Sequence, residues 1–147
     1  MQIALASDHA GFKLKESLKS FLKKLGHTIK DFGTDSEEPC DYPDFAFPAA
    51  ESLTKGEVER AILICGSGIG MSICANKVKG VRAALAMTPE IAKISRQHND
   101  SNTLCLAARF VSKDVAEEIL KVWLLTEFEG EPHARRISKI TTYEQQV

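Results

Sequence analysis

Ala61-Ile-Leu-Ile-Cys-Gly-Ser-Gly-Ile-Gly70 has the pattern of a buried strand running into a glycine turn. The apolar residues Ala61 to Ile64, bounded by Arg60 and Gly66, suit a strand covered on both faces, as in a parallel sheet. Glycines at positions 66, 68 and 70 let the chain turn sharply and present bare backbone amides. Behind them, Met71-Ser-Ile-Cys-Ala-Asn-Lys77 starts a helix whose positive end points back at the turn. Strand, turn and helix start together make a cradle for an oxyanion or a single phosphate. Cys65 stands at the carboxyl end of the strand as a candidate nucleophile or base.

The same alternation repeats on either side. Gln2 to Ala6 reads as a strand that runs into the polar Ser7-Asp8-His9-Ala10-Gly11. Polar residues just past a buried strand are where open parallel sheets keep their ligands. Leu14, Leu18, Phe21, Leu22 and Leu25 then recur at helical spacing, and Gly26 closes that helix as a C′ residue. Thr28 to Phe32 is a second strand. Asp41-Tyr-Pro-Asp44 is positioned to cap a helix reaching Thr54, in which Pro48 predicts a kink or a late start. After the glycine turn, Val81 to Met87 is a third apolar run. Thr88 caps the next helix, with Pro89 at its first position and an end near His98-Asn99-Asp100. Thr103 to Ala107 is a buried strand, and Ser112 caps a helix over Val115 to Leu125 with a Glu117–Lys121 pair on its outer face. A terminal helix from His133 to Gln145 carries a narrow stripe of Ile137, Ile140 and Tyr143, suited to docking on the sheet layer or on a second subunit. The alternation predicts an α/β fold with a mostly parallel five-stranded sheet.

Whole-chain properties narrow the partners. The 147 residues suit one domain over residues 1–147. A net charge of −1 gives no reason to expect nucleic acid or an acidic membrane surface. No apolar run approaches a membrane span, and Met1-Gln-Ile-Ala-Leu-Ala reads as a strand rather than a signal peptide. Cysteines 40, 65, 74 and 105 show neither a Cys-x-x-Cys pair nor metal-ligand spacing, which suits reduced thiols in a cytoplasm and no metal.

The glycine turn matches neither common nucleotide motif. Met71 occupies the position of the third glycine of a dinucleotide fingerprint, and no Gly-Lys-Ser/Thr makes it a P-loop. A cysteine at the end of a buried strand is by default a small inert hydrophobe. Here the glycine nest and the helix N-terminus both favour its thiolate, whereas Cys74 and Cys105 read as core. Asp8 and His9 could form a solvated loop pair, and His98-Asn99 an ordinary helix end. Arg109, Arg135 and Arg136 are by default solvated, but Arg136 shares a helical face with His133 near a helix N-terminus, an arrangement suited to phosphate. A base, histidines, a carboxylate, an oxyanion nest and arginines are the kit for moving a proton next to a carbonyl in a phosphorylated small molecule. No cofactor signature accompanies them.

Several blocks carry a resemblance that runs end to end: Ser7-Asp-His-Ala-Gly-Phe12, Asp41-Tyr-Pro43, Ile64-Cys-Gly-Ser-Gly-Ile-Gly70, Ala75-Asn-Lys77, Ser95-Arg-Gln-His-Asn-Asp-Ser-Asn102 and Phe128-Glu-Gly130. With them the chain resembles the type B ribose-5-phosphate isomerases, which share a family with galactose-6-phosphate isomerase. The resemblance implies a Rossmann-like three-layer sandwich with a C-terminal helix, and a homodimer or tetramer with active sites shared between subunits. It implies interconversion of ribose 5-phosphate and ribulose 5-phosphate in the pentose phosphate pathway. The alternatives are a galactose or allose 6-phosphate isomerase and a non-catalytic binding module.

By motif position Cys65 would be the base at C2, and Ser67 would help move protons at the substrate oxygens. Asp8, His9 and His98 match sugar-binding positions, with His98 assisting ring opening and Asn99 reaching the substrate from the partner subunit. The amides of Gly66, Ser67, Gly68, Ile69 and Gly70 would hold the enediolate. Arg109 and Arg136 match phosphate-binding arginines, with His133 beside them. One departure stands out: Pro132 occupies a position where many members carry arginine.

Overall fold

The computed structural model describes residues 1–147. Gln2–Ser7 (β1), Thr28–Asp31 (β2), Arg60–Cys65 (β3), Ala83–Leu85 (β4) and Thr103–Ala107 (β5) pair in parallel, in the spatial order β2-β1-β3-β5-β4. The helices are Phe12–Lys24 (α1), Pro43–Thr54 (α2), Ile69–Asn76 (α3), Pro89–Asn99 (α4), Lys113–Leu125 (α5) and His133–Gln146 (α6). This is the expected α/β fold, with its five strands all parallel.

Strand alternation sorts the core into two slabs. Ile3, Leu5, Ile62, Ile64, Leu104 and Leu106 meet Leu18 and Leu22 of α1, Ala92 of α4, and Ile119 and Trp123 of α5. On the other face Ala4, Ala6, Ala61, Leu63, Cys65 and Cys105 lie under Ala46, Ala49 and Ala50 of α2 and Met71, Cys74 and Ala75 of α3. Small side chains on both sides of that second slab bring α2 close to the sheet. The helix begins at Pro43 and runs through Pro48 to Thr54, so its start is not late. Nor does Asp41 or Asp44 cap it: its N-cap is Tyr42, with no side-chain cap bond.

Elsewhere local signals held. Thr88 Oγ1 accepts the Ile91 N–H, and Ser112 Oγ accepts that of Val115, both at 3.2 Å. Glu117, however, pairs with Lys113 at 3.9 Å rather than with Lys121. The edge strand β4 is only three residues long, shorter than the apolar run Val81 to Met87. The stripe on α6 buries none of its residues against its own chain. No helix is long and apolar enough to cross a membrane.

The strand order positions the site. From β1 the chain steps one way to β2 and later the other way to β3, so the carboxyl ends of β1 and β3 flank a topological switch point. Lys15 secures this region from within. Its side chain is 1% exposed, and Nζ donates to Asp31 at 2.7 and 2.9 Å and to Glu16 at 3.1 Å. Lys19 also pairs with Asp31. Burial pushes the Asp31 carboxyl up, but hydrogen bonds from Lys15, Lys19 and the Gly33 amide outweigh it and hold the group below its ordinary value. A carboxyl lowered in the folded state contributes stability above its unfolded pKa, about 3.9, and that contribution is lost as pH falls further. Asp31→Asn should therefore cost about 2 kcal/mol in urea unfolding at neutral pH. The difference from wild type should shrink below about pH 4. A deficit that stays constant into acid would show that the carboxylate charge is not its source.

Candidate active site

β1 hands over to the site through backbone contacts. The Asp8 N–H donates to Ile64 O at 3.3 Å, and Asp8 Oδ1 accepts the Gly11 N–H at 3.1 Å. A Cβ on Gly11 would lie 2.6 Å from the Ile64 carbonyl oxygen, so only glycine lets α1 start this close to β3. His9 Nδ1 lies 3.1 Å from the Cys40 amide nitrogen and 3.2 Å from the Cys40 carbonyl oxygen. Either ring tautomer keeps Nδ1 on that backbone, which leaves Nε2 for a ligand.

The turn after β3 is tighter than its sequence implies. The helix begins at Ile69, two residues before Met71, with Gly68 as its N-cap in the left-handed region at φ 74°. The Gly68 N–H donates to Cys65 Sγ at 3.2 Å, a donor complementary to a thiolate sulfur. Ser67 Oγ accepts the Ile69 N–H at 3.3 Å. The first intrahelical bond runs from Ser72 N to Gly68 O, so by position the amides of Gly70 and Met71 have no intrahelical partner. The glycine nest is therefore a set of fixed donors beside the sulfur.

Beyond β5, the Ala108 and Arg109 amides donate to Cys65 O at 2.9 Å and Gly66 O at 3.0 Å. The Arg109 guanidinium lies over Gly66, where a Cβ would sit 3.0 Å from its Nη1. Asp8, His9, Cys65, Gly66, Ser67, Ile69, Gly70 and Arg109 line one cavity of about 680 Å³, a size suited to a small ligand. Tyr42 joins them, its ring over Gly70 at 2.6 Å from where a Cβ would stand. Neither Tyr42 nor the Cys40 backbone stands out from the sequence as a site component. An aromatic residue in a polar loop near the sheet's carboxyl edge was the only local signal for the former.

The remaining candidates lie elsewhere on the chain. His98, in the last turn of α4, stacks on His133 at the start of α6, with ring centroids 4.2 Å apart and planes 13° off parallel. Asn99 follows on α4, and Arg136 is one turn into α6; both are exposed. None of these four lines the Cys65 cavity. Pro132 is the N-cap of α6, and offers that helix no side-chain bond.

The other cysteines separate as expected. All four are free. Burial pushes the Cys74 thiol up, with the neighbouring Cys65 adding to it. Burial pushes Cys105 up much further, Cys65 and Cys74 contributing less. Both sit in the alanine-rich slab of the core.

Comparison with known proteins shows the family and the fold. A family model described as ribose/galactose isomerase covers residues 3–140. The chain is 43% identical to ribose-5-phosphate isomerase B of Escherichia coli over 144 residues, covering 98% of this chain and 97% of that protein. It superposes on the Clostridium thermocellum ribose-5-phosphate isomerase B with a TM-score of 0.98, at 47% identity and 99% coverage of both chains. The Mycoplasma genitalium ribose-5-phosphate isomerase B with bound ribulose-5-phosphate gives a TM-score of 0.96 at 42% identity, covering 99% of this chain and 97% of that one.

The turn makes a test of its own. Gly56 and Gly68 share a φ of 74°, but a Cβ on Gly56 meets nothing within 4 Å, whereas on Gly68 it would lie 2.4 Å from Leu85 Cδ1 and 3.1 Å from the Leu106 backbone. Alanine at either position carries the left-handed penalty of about 1–2 kcal/mol. Only Gly68→Ala adds the collision. Gly68→Ala should consequently lower the urea midpoint well beyond Gly56→Ala, and equal losses would mean that the site around Gly68 yields freely.

Proposed function

The chain belongs to the ribose/galactose isomerase family, and on that premise we propose the roles of its residues. The protein is an aldose–ketose isomerase that interconverts ribose 5-phosphate and ribulose 5-phosphate. The observation that carries the reading is Cys65, whose Sγ receives the Gly68 N–H at 3.2 Å at the head of a cavity holding Asp8, His9 and Arg109.

The reaction moves one proton between neighbouring carbons while a carbonyl and a hydroxyl exchange places. Asp8 and His9 Nε2 hold the sugar hydroxyls, and His98 assists opening of the furanose ring. The Cys65 thiolate removes the C2 proton, and the charge that develops on the oxygens is met by the fixed amides of the Gly66 to Gly70 turn, apart from those of Gly68 and Ile69, which hold Cys65 Sγ and Ser67 Oγ. Ser67 helps shuttle the hydroxyl protons. Protonated Cys65 then delivers its proton to C1 and is regenerated. Atoms and electrons balance within the sugar, C2 being oxidised as C1 is reduced. Arg109 and Arg136 bind the phosphate from opposite sides, with His133 beside Arg136.

Those roles require a second copy of the chain. His98, Asn99, His133 and Arg136 do not line the cavity of their own chain. The cavity rim also exposes Ile69, Ile73 and Phe110, by 55%, 56% and 67%, as a surface that another subunit would cover. We therefore assign a homodimer or tetramer with shared sites. Its four free cysteines suit the cytoplasm.

An isomerase assay on ribose 5-phosphate, beside galactose 6-phosphate and allose 6-phosphate, should show the pentose preferred. Cys65→Ala should lower kcat on ribose 5-phosphate by about a hundredfold or more, the scale of a lost general base. Cys105→Ala should keep its turnover and lose only about 1 kcal/mol of stability. A Cys65→Ala enzyme retaining a substantial fraction of wild-type kcat would remove Cys65 from the role of base.

Subunit sharing has a separate test. Refolding Cys65→Ala together with His98→Asn should restore roughly a quarter of wild-type activity on ribose 5-phosphate, because random pairing gives mixed dimers with one intact site. If each site belonged to one chain, the mixture would be no more active than its parts.

A further inference from the structure

We propose that His98, Glu129 and His133 form a site for one divalent transition ion of the zinc class, and that its occupancy inhibits the enzyme. His98 Nε2 and His133 Nε2 approach the same oxygen, Glu129 Oε2, at 3.9 and 3.7 Å. The three ligand atoms lie within 4.8 Å of one another. Tetrahedral zinc with bonds of about 2.0–2.1 Å holds its ligands about 3.3 Å apart, so binding contracts these separations and reorients one imidazole. The imidazoles stack nearly parallel, and because each Nε2 lone pair lies in its ring plane, one ring must swing out of the stack for both to reach a common ion.

The backbone beneath the cluster is already tied down. The Glu129 N–H donates to Gln97 O at 3.1 Å, fixing the loop to the residue before His98. The Ala134 N–H donates to Gly130 O at 3.0 Å, fixing the same loop to the start of α6. The ligands therefore stand on connected backbone rather than on a free strap. Two imidazoles and one carboxylate suit zinc, cobalt or nickel, and leave at least one coordination position for water or an oxygen ligand. The cluster opens to solvent through the His98 and Glu129 side chains, 42% and 47% exposed, while His133 is mostly covered at 16%. Sequence spacing conceals the site, because His98 reaches the other two ligands only through packing of α4 against α6.

Inhibition follows if His98 opens the sugar ring, and this part rests on the function proposed above. An ion bound to Nε2 occupies the nitrogen that would exchange a proton with the substrate. Binding itself does not depend on that function, so the two can be tested apart.

The first measurement is titration of the intact protein with cobalt(II) at about pH 7.5, where a free imidazole is neutral. It should be followed by visible absorption and by the histidine ring signals in NMR. One ion per chain should bind through nitrogen and oxygen without a thiolate charge-transfer band, broadening His98 and His133 and sparing His9. Glu129→Gln and His133→Ala should each weaken binding at least about tenfold, the least expected for a direct ligand when outer-shell changes already cost that much. The second measurement is zinc inhibition of isomerisation, which should be reversed by EDTA and weakened in Glu129→Gln by the same factor as binding. Unchanged cobalt affinity in both variants, or a thiolate band with His98 unaffected, would overturn the site. Cobalt binding as described, with zinc inhibition equal in wild type and Glu129→Gln, would overturn the inhibitory role alone.

Discussion

The left-handed backbone of Gly68 lets β3 end in Cys65 and α3 begin directly behind it. One N–H of that residue points at the cysteine sulfur, while its missing side chain leaves room for Leu85 and the Leu106 backbone. The floor of the cavity is thus made of main chain. Amides held by a helix start need no reorganisation when charge develops on a substrate oxygen, and such preorganisation is a large source of catalytic power. The neighbouring glycines extend the same economy of space: Arg109 lies over Gly66 and Tyr42 over Gly70, each where a Cβ would otherwise stand.

The other side of the cavity depends on a chain of contacts that begins far from it. Buried Lys15 holds Asp31, whose Oδ1 accepts the Gly33 N–H at 2.9 Å. Gly33 O accepts the Ser7 N–H at 2.6 Å, and the Thr34 N–H returns to Ser7 O at 2.7 Å. The carboxyl end of β1, and with it Asp8, is therefore braced through an ion pair between α1 and β2. A perturbation of that pair acts on the site without touching it.

Residues of the chain divide between two places. The cysteine, the nest, Asp8, His9 and Arg109 share one cavity, while His98, Asn99, His133 and Arg136 gather where α4 meets α6. α6 packs against α4 without fully burying any of its own residues. The departure at Pro132 falls within this second group. With no arginine at that position, the start of α6 presents His133 against His98 and Glu129.

What the sequence determined by itself was whatever neighbours along the chain decide. Apolar runs marked all five strands, and Thr88 and Ser112 capped their helices because a cap is a bond across three residues. Cys65 stood out because glycines, strand and helix start are contiguous in the chain. Local reading failed where packing or choice of partner intervened. Tyr42 rather than Asp41 or Asp44 stood at the N-cap of α2, Glu117 turned to Lys113, and β4 shortened at the sheet edge. Only the tertiary structure placed the Cys40 backbone on His9, the Tyr42 ring over Gly70, and His98 face to face with His133. Each of those contacts joins residues with tens of positions between them, and periodicity and capping act over a few turns at most.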